Sequence, residues 1–259
     1  SHGGHVNVHG GDSISNISGS GGYGGNVYVT GGRGISKNAT DSAGGGVLLK
    51  GGNSRGGKGG DVILKSGYSE NLTSGHIHIY SADSGEQGGS GQIGMTTGVG
   101  ILKSSGSVSI KTGDSAQSSS GDVTLMVGRG SSGVGGRIVV RAGTTSSDLT
   151  GGNVEIASGF STLGTSGAVS ITTANSGEAG ESGPIILTTG TSSGSSTGSI
   201  SLLTGKSSGG SGGDLLLSVG AGNAERGGEV QIYAGMSRAA GSQGGDIQLR
   251  GGEGSNIDG

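Results

Sequence analysis

Aliphatic residues alternate with other residues in short runs that recur along the whole chain. We call the first aliphatic residue of each run position 0. Position +2 is then always Val, Leu, Ile or Met. Because side chains of an extended backbone alternate in direction, positions 0 and +2 share one face. The runs are mostly 15 or 16 residues apart, with 21 and 20 at the amino-terminal end. The sixteen residues at position 0 are Val6, Val27, Val47, Val62, Ile77, Ile93, Val108, Val123, Ile138, Val154, Val169, Ile185, Ile200, Leu215, Val230 and Ile247.

Small residues occupy fixed places around each run. Position −2 is always Gly, position +4 is always small, and position +5 is Gly except at Ala82 and Ala174. Position +7 is only Ser, Thr or Gly. Tiny side chains at constant positions indicate that backbone approaches backbone there.

These constraints together predict an all-β fold, a parallel β-solenoid of about 16 coils with a 15–16 residue repeat. One face would hold a thin aliphatic core, and a wall rich in Gly, Ser and Thr would lie opposite. We expect a single repeat domain over residues 1–259, with longer coils at 1–46. An antiparallel meander and a bundle of polyproline II helices are the alternative folds. The predicted core includes Val62, Leu64, Ile77, Ile79, Val108, Ile110, Val123, Leu125, Val154 and Ile156.

Composition and charge exclude several classes of function. The chain has 67 glycines, one proline, one phenylalanine and no cysteine or tryptophan, so disulfides and thiolate metal sites are ruled out. The formal charge of −3 gives no electrostatic basis for binding nucleic acid. Without an apolar run of about 18 residues, membrane insertion is not expected.

Two patterns raise metal binding as an alternative. Residues 56–64 fit a nine-residue calcium repeat with Asp61 as ligand, but that repeat needs Ile63 inward, whereas the aliphatic period directs Val62 inward. Among all units only three others, with Asp122, Asp214 and Asp246, repeat the carboxylate before position 0. We therefore predict no calcium site.

Histidines form the second such pattern. His76 and His78 share one outward side, as do His5 and His9, so binding of a metal ion at the surface is an alternative. Solvated histidines are the simpler reading, and we predict neither a metal nor a cofactor.

No catalytic constellation stands out, because serines occur almost everywhere and acids are scattered. Pectate-lyase-like enzymes use longer and more varied coils, so we predict that the protein is not an enzyme. Ice binding would need a regular outward threonine array. Thr96, Thr172 and Thr188 occupy position +3, but Lys111 and Met126 interrupt them there.

Three N-x-S/T acceptor sequences begin at Asn16, Asn38 and Asn71. All three lie in the variable segments between runs, where glycans could protrude. They predict an extracellular or cell-surface glycoprotein that carries N-glycans.

The repeat resembles Gly/Ser-rich repeats of secreted or cell-surface proteins in diatoms and other stramenopile algae. The residues that carry the resemblance include "GSVSIKTGDSAQSSSGDVTLMVG" and "GSISLLTGKSSGGSGGDLLLSVG". The resemblance implies an extracellular structural role in a surface fibre or wall. We expect self-association, by solenoid stacking or laterally, into a rigid rod, filament or surface layer, with extracellular matrix as a further partner. The alternative function is a module that binds ice, glycan or mineral on a flat solenoid face.

Overall fold

The computed structural model describes residues 4–14, 22–35 and 42–254, and these contain neither a helix nor a β-strand. The prediction of an all-β parallel solenoid is therefore wrong, and so is the description of the protein as a β-solenoid. The chain is mostly coil, and it divides into two units, Ser1–Met126 and Val127–Gly259. The part of the chain that is described also has no helix of the length and apolarity needed to cross a membrane.

Bends and turns mark the segments between runs. From residue 42 onward one bend or turn lies between each two successive runs, so the repeat of the sequence is also a repeat of the structure. The only left-handed residues among those described, Gly133 with φ 81° and Gly241 with φ 77°, lie within these bends. The bends and turns cover 55–57, 70–72, 86–87, 101–103, 116–118, 131–134, 146–149, 162–164, 178–179, 193–195, 208–210, 223–226 and 239–241.

The predicted aliphatic core is not buried. Across the described ranges no hydrophobic residue is buried, and every residue assigned to the core is more than half exposed. The chain exposes 26475 Å², whereas a compact monomer of this mass exposes about 10,000 Å². The residues concerned are Val62, Leu64, Ile77, Ile79, Val108, Ile110, Val123, Leu125, Val154 and Ile156.

Alternation of side chains is nevertheless present. In one run Val62 and Leu64 are 55% and 63% exposed, while Ile63 between them is 81% exposed. On the outward side, residues i and i+2 contact each other: the side-chain amide of Asn26 donates a hydrogen bond of 3.1 Å to the Tyr28 hydroxyl. Such contacts require that residues i and i+2 share a face, so the runs are extended although they are not paired into a sheet.

The aliphatic residues at the two ends of the series of runs are exposed most. Val6, in the first run, is 90% exposed, and Leu249, in the last run, is 87% exposed. The equivalent residues of another run, Val62 and Leu64, are 55% and 63% exposed.

The backbone hydrogen bonds explain why no solenoid forms. The Gly60 amide, at position −2, donates to the carbonyl of Gly52, at position +5 of the preceding run, at 2.9 Å. In a stacked solenoid Gly60 would instead lie on Gly45, its equivalent one coil earlier, at about 4.8 Å. Gly52 lies seven residues after Gly45, so in an extended strand it would be about 23 Å from Gly45 and equally far from a Gly60 stacked on Gly45. The two arrangements exclude each other.

Candidate functional site

Between each two successive runs lies a point that we call a glycine junction. It joins the position −2 glycine of one run to positions +4 and +5 of the run before it. Hydrogen bonds of 2.7–2.9 Å from the −2 amide to the +5 carbonyl close seven junctions. The two ends of each of these seven segments are therefore adjacent. The donor and acceptor pairs are Gly25 and Gly11, Gly45 and Gly32, Gly60 and Gly52, Gly75 and Gly67, Gly152 and Gly143, Gly167 and Gly159, and Gly245 and Gly235.

Steric crowding accounts for the glycine at position −2 in four junctions, those of Gly25, Gly60, Gly136 and Gly228. A Cβ added to Gly60 would lie 2.9 Å from the Gly52 amide nitrogen, closer than real Cβ atoms come to any neighbour. Where position +4 is larger, the crowding comes from its side chain: a Cβ at Gly228 would lie 2.7 Å from Cγ1 of Val219. The same pairing of −2 with +4 or +5 recurs at every junction except the one before Ile185, where Gly183 has open space.

Serine at position +7 braces the loops. The Ser161 hydroxyl oxygen accepts a hydrogen bond of 2.9 Å from the amide of Gly164, and Ser207 accepts one of 3.0 Å from Gly210. A hydroxyl that accepts from a backbone amide three residues on stabilises a local turn. The same bond is made by Ser54, Ser69, Ser115 and Ser192.

The side chains at positions 0 and +2 form what we call the aliphatic stripe of each unit. Its members are between 50% and 90% exposed. Burying them removes apolar surface from water, which is favourable at about 25 cal/mol per Å². The stripe is thus the surface from which the chain has most to gain by association.

Asp61 has a partner other than a metal. Its carboxylate lies 3.0 Å from the Lys58 ammonium in an exposed ion pair. The described residues hold no group of three or more His, Asp or Glu that could bind a metal ion.

The outward histidines are brought together in one of the two pairs. The rings of His76 and His78 lie 5.7 Å apart between centroids and are tilted by 44°. His5 and His9 are also described and exposed, but three residues lie between them along the chain. The two pairs thus differ in sequence spacing, which is i, i+2 for His76 and His78 and i, i+4 for His5 and His9.

Of the three glycosylation sequences, only one can be placed. Asn71 is exposed within the bend at 70–72, and the amide of Leu72 donates to the Ser69 hydroxyl at 3.1 Å. Asn16 and Asn38 lie outside the described residues.

Sequence reasoning did not identify the junction partners or the role of position +7. The sequence does contain a signal for the role of position +7, since only Ser, Thr and Gly occur at that position. Serine and threonine can brace a turn through the hydroxyl, and glycine enters the turn freely. The described residues form no cavity that could serve as an enclosed active site.

Comparison of the chain with protein-family models, with curated proteins and with solved structures gives no match. The resemblance to algal surface repeats thus stays a prediction.

Proposed function

We propose that the protein is an extracellular structural protein that forms a filament or surface layer by lateral association of its aliphatic stripes. The observation that carries this proposal is the exposure of the stripe in run after run, as at Val62 and Leu64, with 55% and 63% exposed. A regular array of uncovered aliphatic side chains is a surface that calls for a partner.

A second copy of the chain is the partner that fits best. Every copy carries the same aliphatic pairs at the same spacing along the sequence, so each pair of one copy has an equivalent pair in the other. The formal charge of −3 over 259 residues opposes association only weakly. Each half of the chain offers on the order of 1,000 Å² of apolar stripe surface, comparable to the roughly 800 Å² per partner of a stable interface.

The extracellular placement rests on the acceptor sequences and on the resemblance to algal surface repeats. Asn71 lies on an exposed bend, away from positions 0 and +2. A glycan there would leave the stripe of its own run uncovered. Glycosylation and lateral association are therefore compatible.

The rigid rod and the flat binding face depended on the solenoid. Because the described residues lack strands, neither has a structural basis here. We accordingly do not carry forward solenoid stacking or binding of ice, glycan or mineral on such a face.

The experiment compares two variants of the full chain that each lose four aliphatic side chains. One removes stripe residues and the other removes outward residues, so that the number of aliphatic side chains lost is the same. Sedimentation velocity over a range of concentrations measures association, and electron microscopy shows the form of the assembly. The stripe variant is V62S/L64S/I77S/I79S, and the control is L48S/I63S/I186S/L216S.

We expect the wild-type chain and the control to associate at similar concentrations. The stripe variant should need at least about ten-fold more protein, because losing a net 1.4 kcal/mol of apolar burial changes an equilibrium ten-fold. A wild-type chain that remains monomeric at every concentration would refute the proposal. An equal shift in both variants would show that the stripe is not the contact surface.

A further inference from the structure

The outward side of the run at Ile77 carries two imidazoles and a phenol in succession. His76, His78 and Tyr80 occupy positions −1, +1 and +3, and all three are exposed. Since the backbone is extended there, the three side chains leave the same face of the run. The rings of His76 and His78 are neighbours, with centroids 5.7 Å apart.

We propose that His76 and His78 chelate one divalent metal ion of the borderline class, such as Zn²⁺, through one nitrogen of each ring. Two imidazoles on one zinc ion, with Zn–N bonds of about 2.0–2.1 Å, hold their centroids roughly 5–6 Å apart. The observed separation of 5.7 Å is within that range.

The chemistry of the donors selects the class of metal. Neutral imidazole suits zinc, copper and nickel, whereas calcium and magnesium require oxygen ligands. Zinc is most often four-coordinate, so two histidines fill half of its positions and water occupies the rest. The site is therefore an open, exchangeable surface site and not a closed structural one.

His5 and His9 provide an internal comparison. They occupy positions −1 and +3 of the first run, and in an extended chain their Cα atoms are about 13 Å apart. That span is too long for both rings to reach one ion at bonding distance. The two pairs consist of the same residue types on the same kind of surface, and they differ in spacing.

The experiment titrates the full chain with ZnCl₂ in a buffer that does not bind metals, and measures affinity by calorimetry. The variants are H76Q, H78Q, the rearranged variant H78Q/Y80H, and the control H5Q/H9Q. The rearranged variant keeps five histidines but moves the second one to the spacing of His5 and His9. It thus separates the geometry of the pair from the number of histidines.

We expect one zinc ion per wild-type chain and at least about ten-fold weaker binding in H76Q, H78Q and H78Q/Y80H, because two tethered ligands act at high effective concentration. H5Q/H9Q should bind like the wild type. In the wild-type chain, the ring resonances of His76 and His78 should shift together as zinc is added. The proposal is overturned if H78Q/Y80H binds zinc as tightly as the wild type, or if only one of the two rings responds.

Discussion

The amide of Gly60 donates a hydrogen bond of 2.9 Å to the carbonyl of Gly52, eight residues earlier in the chain. This bond joins the end of one aliphatic run to the start of the next and closes the loop between them. The amino-terminal loops are longer, yet Gly25 and Gly45 make the same bond to Gly11 and Gly32. Loop length varies while the junction is retained.

The first prediction concerns the −2 glycine. In Gly60→Ala the new Cβ would meet the Gly52 amide nitrogen at 2.9 Å, so the junction must open. A hydrogen bond of this kind is worth about 0.5–1.5 kcal/mol, so the amide of residue 60 should exchange with solvent roughly 2 to 10 times faster. Hydrogen exchange followed by NMR measures this change.

Gly46→Ala is the matched control, because a Cβ at Gly46 has open space around it. The control should leave the exchange rate of the Gly60 amide as it is in the wild type. If both alanine variants accelerate that amide equally, crowding at the junction is not the reason for the glycine.

The second prediction concerns the loop serines. Ser161→Ala removes the acceptor of the Gly164 amide, a bond of 2.9 Å. Exchange of the Gly164 amide should accelerate by roughly 2 to 10 times, and Ser161→Thr, which keeps a hydroxyl, should restore most of the protection. Equal rates in the alanine and threonine variants would exclude the bond as the source of protection.

The third prediction concerns the exposed ion pair between Lys58 and Asp61. Both side chains are largely exposed, at 81% and 62%, and exposed pairs contribute little because water and salt screen them. Lys58→Ala should therefore change exchange of the neighbouring Gly60 amide by less than about two-fold. A larger change, abolished by 1 M salt, would show that the pair helps to close the junction.

The fourth prediction concerns glycosylation at Asn71, which lies on an exposed bend. Secretion of the chain from a eukaryotic host should add an N-glycan to this residue, detected by mass spectrometry as conversion to aspartate on enzymatic release. Thr73→Ala should abolish modification of Asn71, and Thr73→Ser should retain it. A secreted chain with unmodified Asn71 would contradict the prediction.

The sequence alone was enough to predict the local rules of this molecule. Alternation along each run was foreseen, and the outward contact of Asn26 with Tyr28 shows it. The fixed small residues correctly signalled that backbone approaches backbone, as at Gly60 and Gly52. These features depend on side-chain direction and size, which sequence reports directly.

The partners of those small residues could not be predicted. Tiny side chains are needed whether equivalent glycines stack, as Gly45 and Gly60 would in a solenoid, or different positions meet, as Gly52 and Gly60 do. A periodic sequence is compatible with both arrangements, and the solenoid is the one that would bury Val62 and Leu64. In the structure each closed loop has one backbone hydrogen bond between its ends, where a sheet would have a ladder of such bonds. The described residues therefore form no strands, and the aliphatic stripe is not covered.

The most direct test of the closed loops is a measurement of scalar coupling through the hydrogen bond of the Gly60 amide, by NMR of the isotopically labelled chain. The account predicts a coupling between the nitrogen of Gly60 and the carbonyl carbon of Gly52. A coupling between Gly60 and a residue near Gly45, the equivalent position one repeat earlier, would contradict the account and support the parallel solenoid.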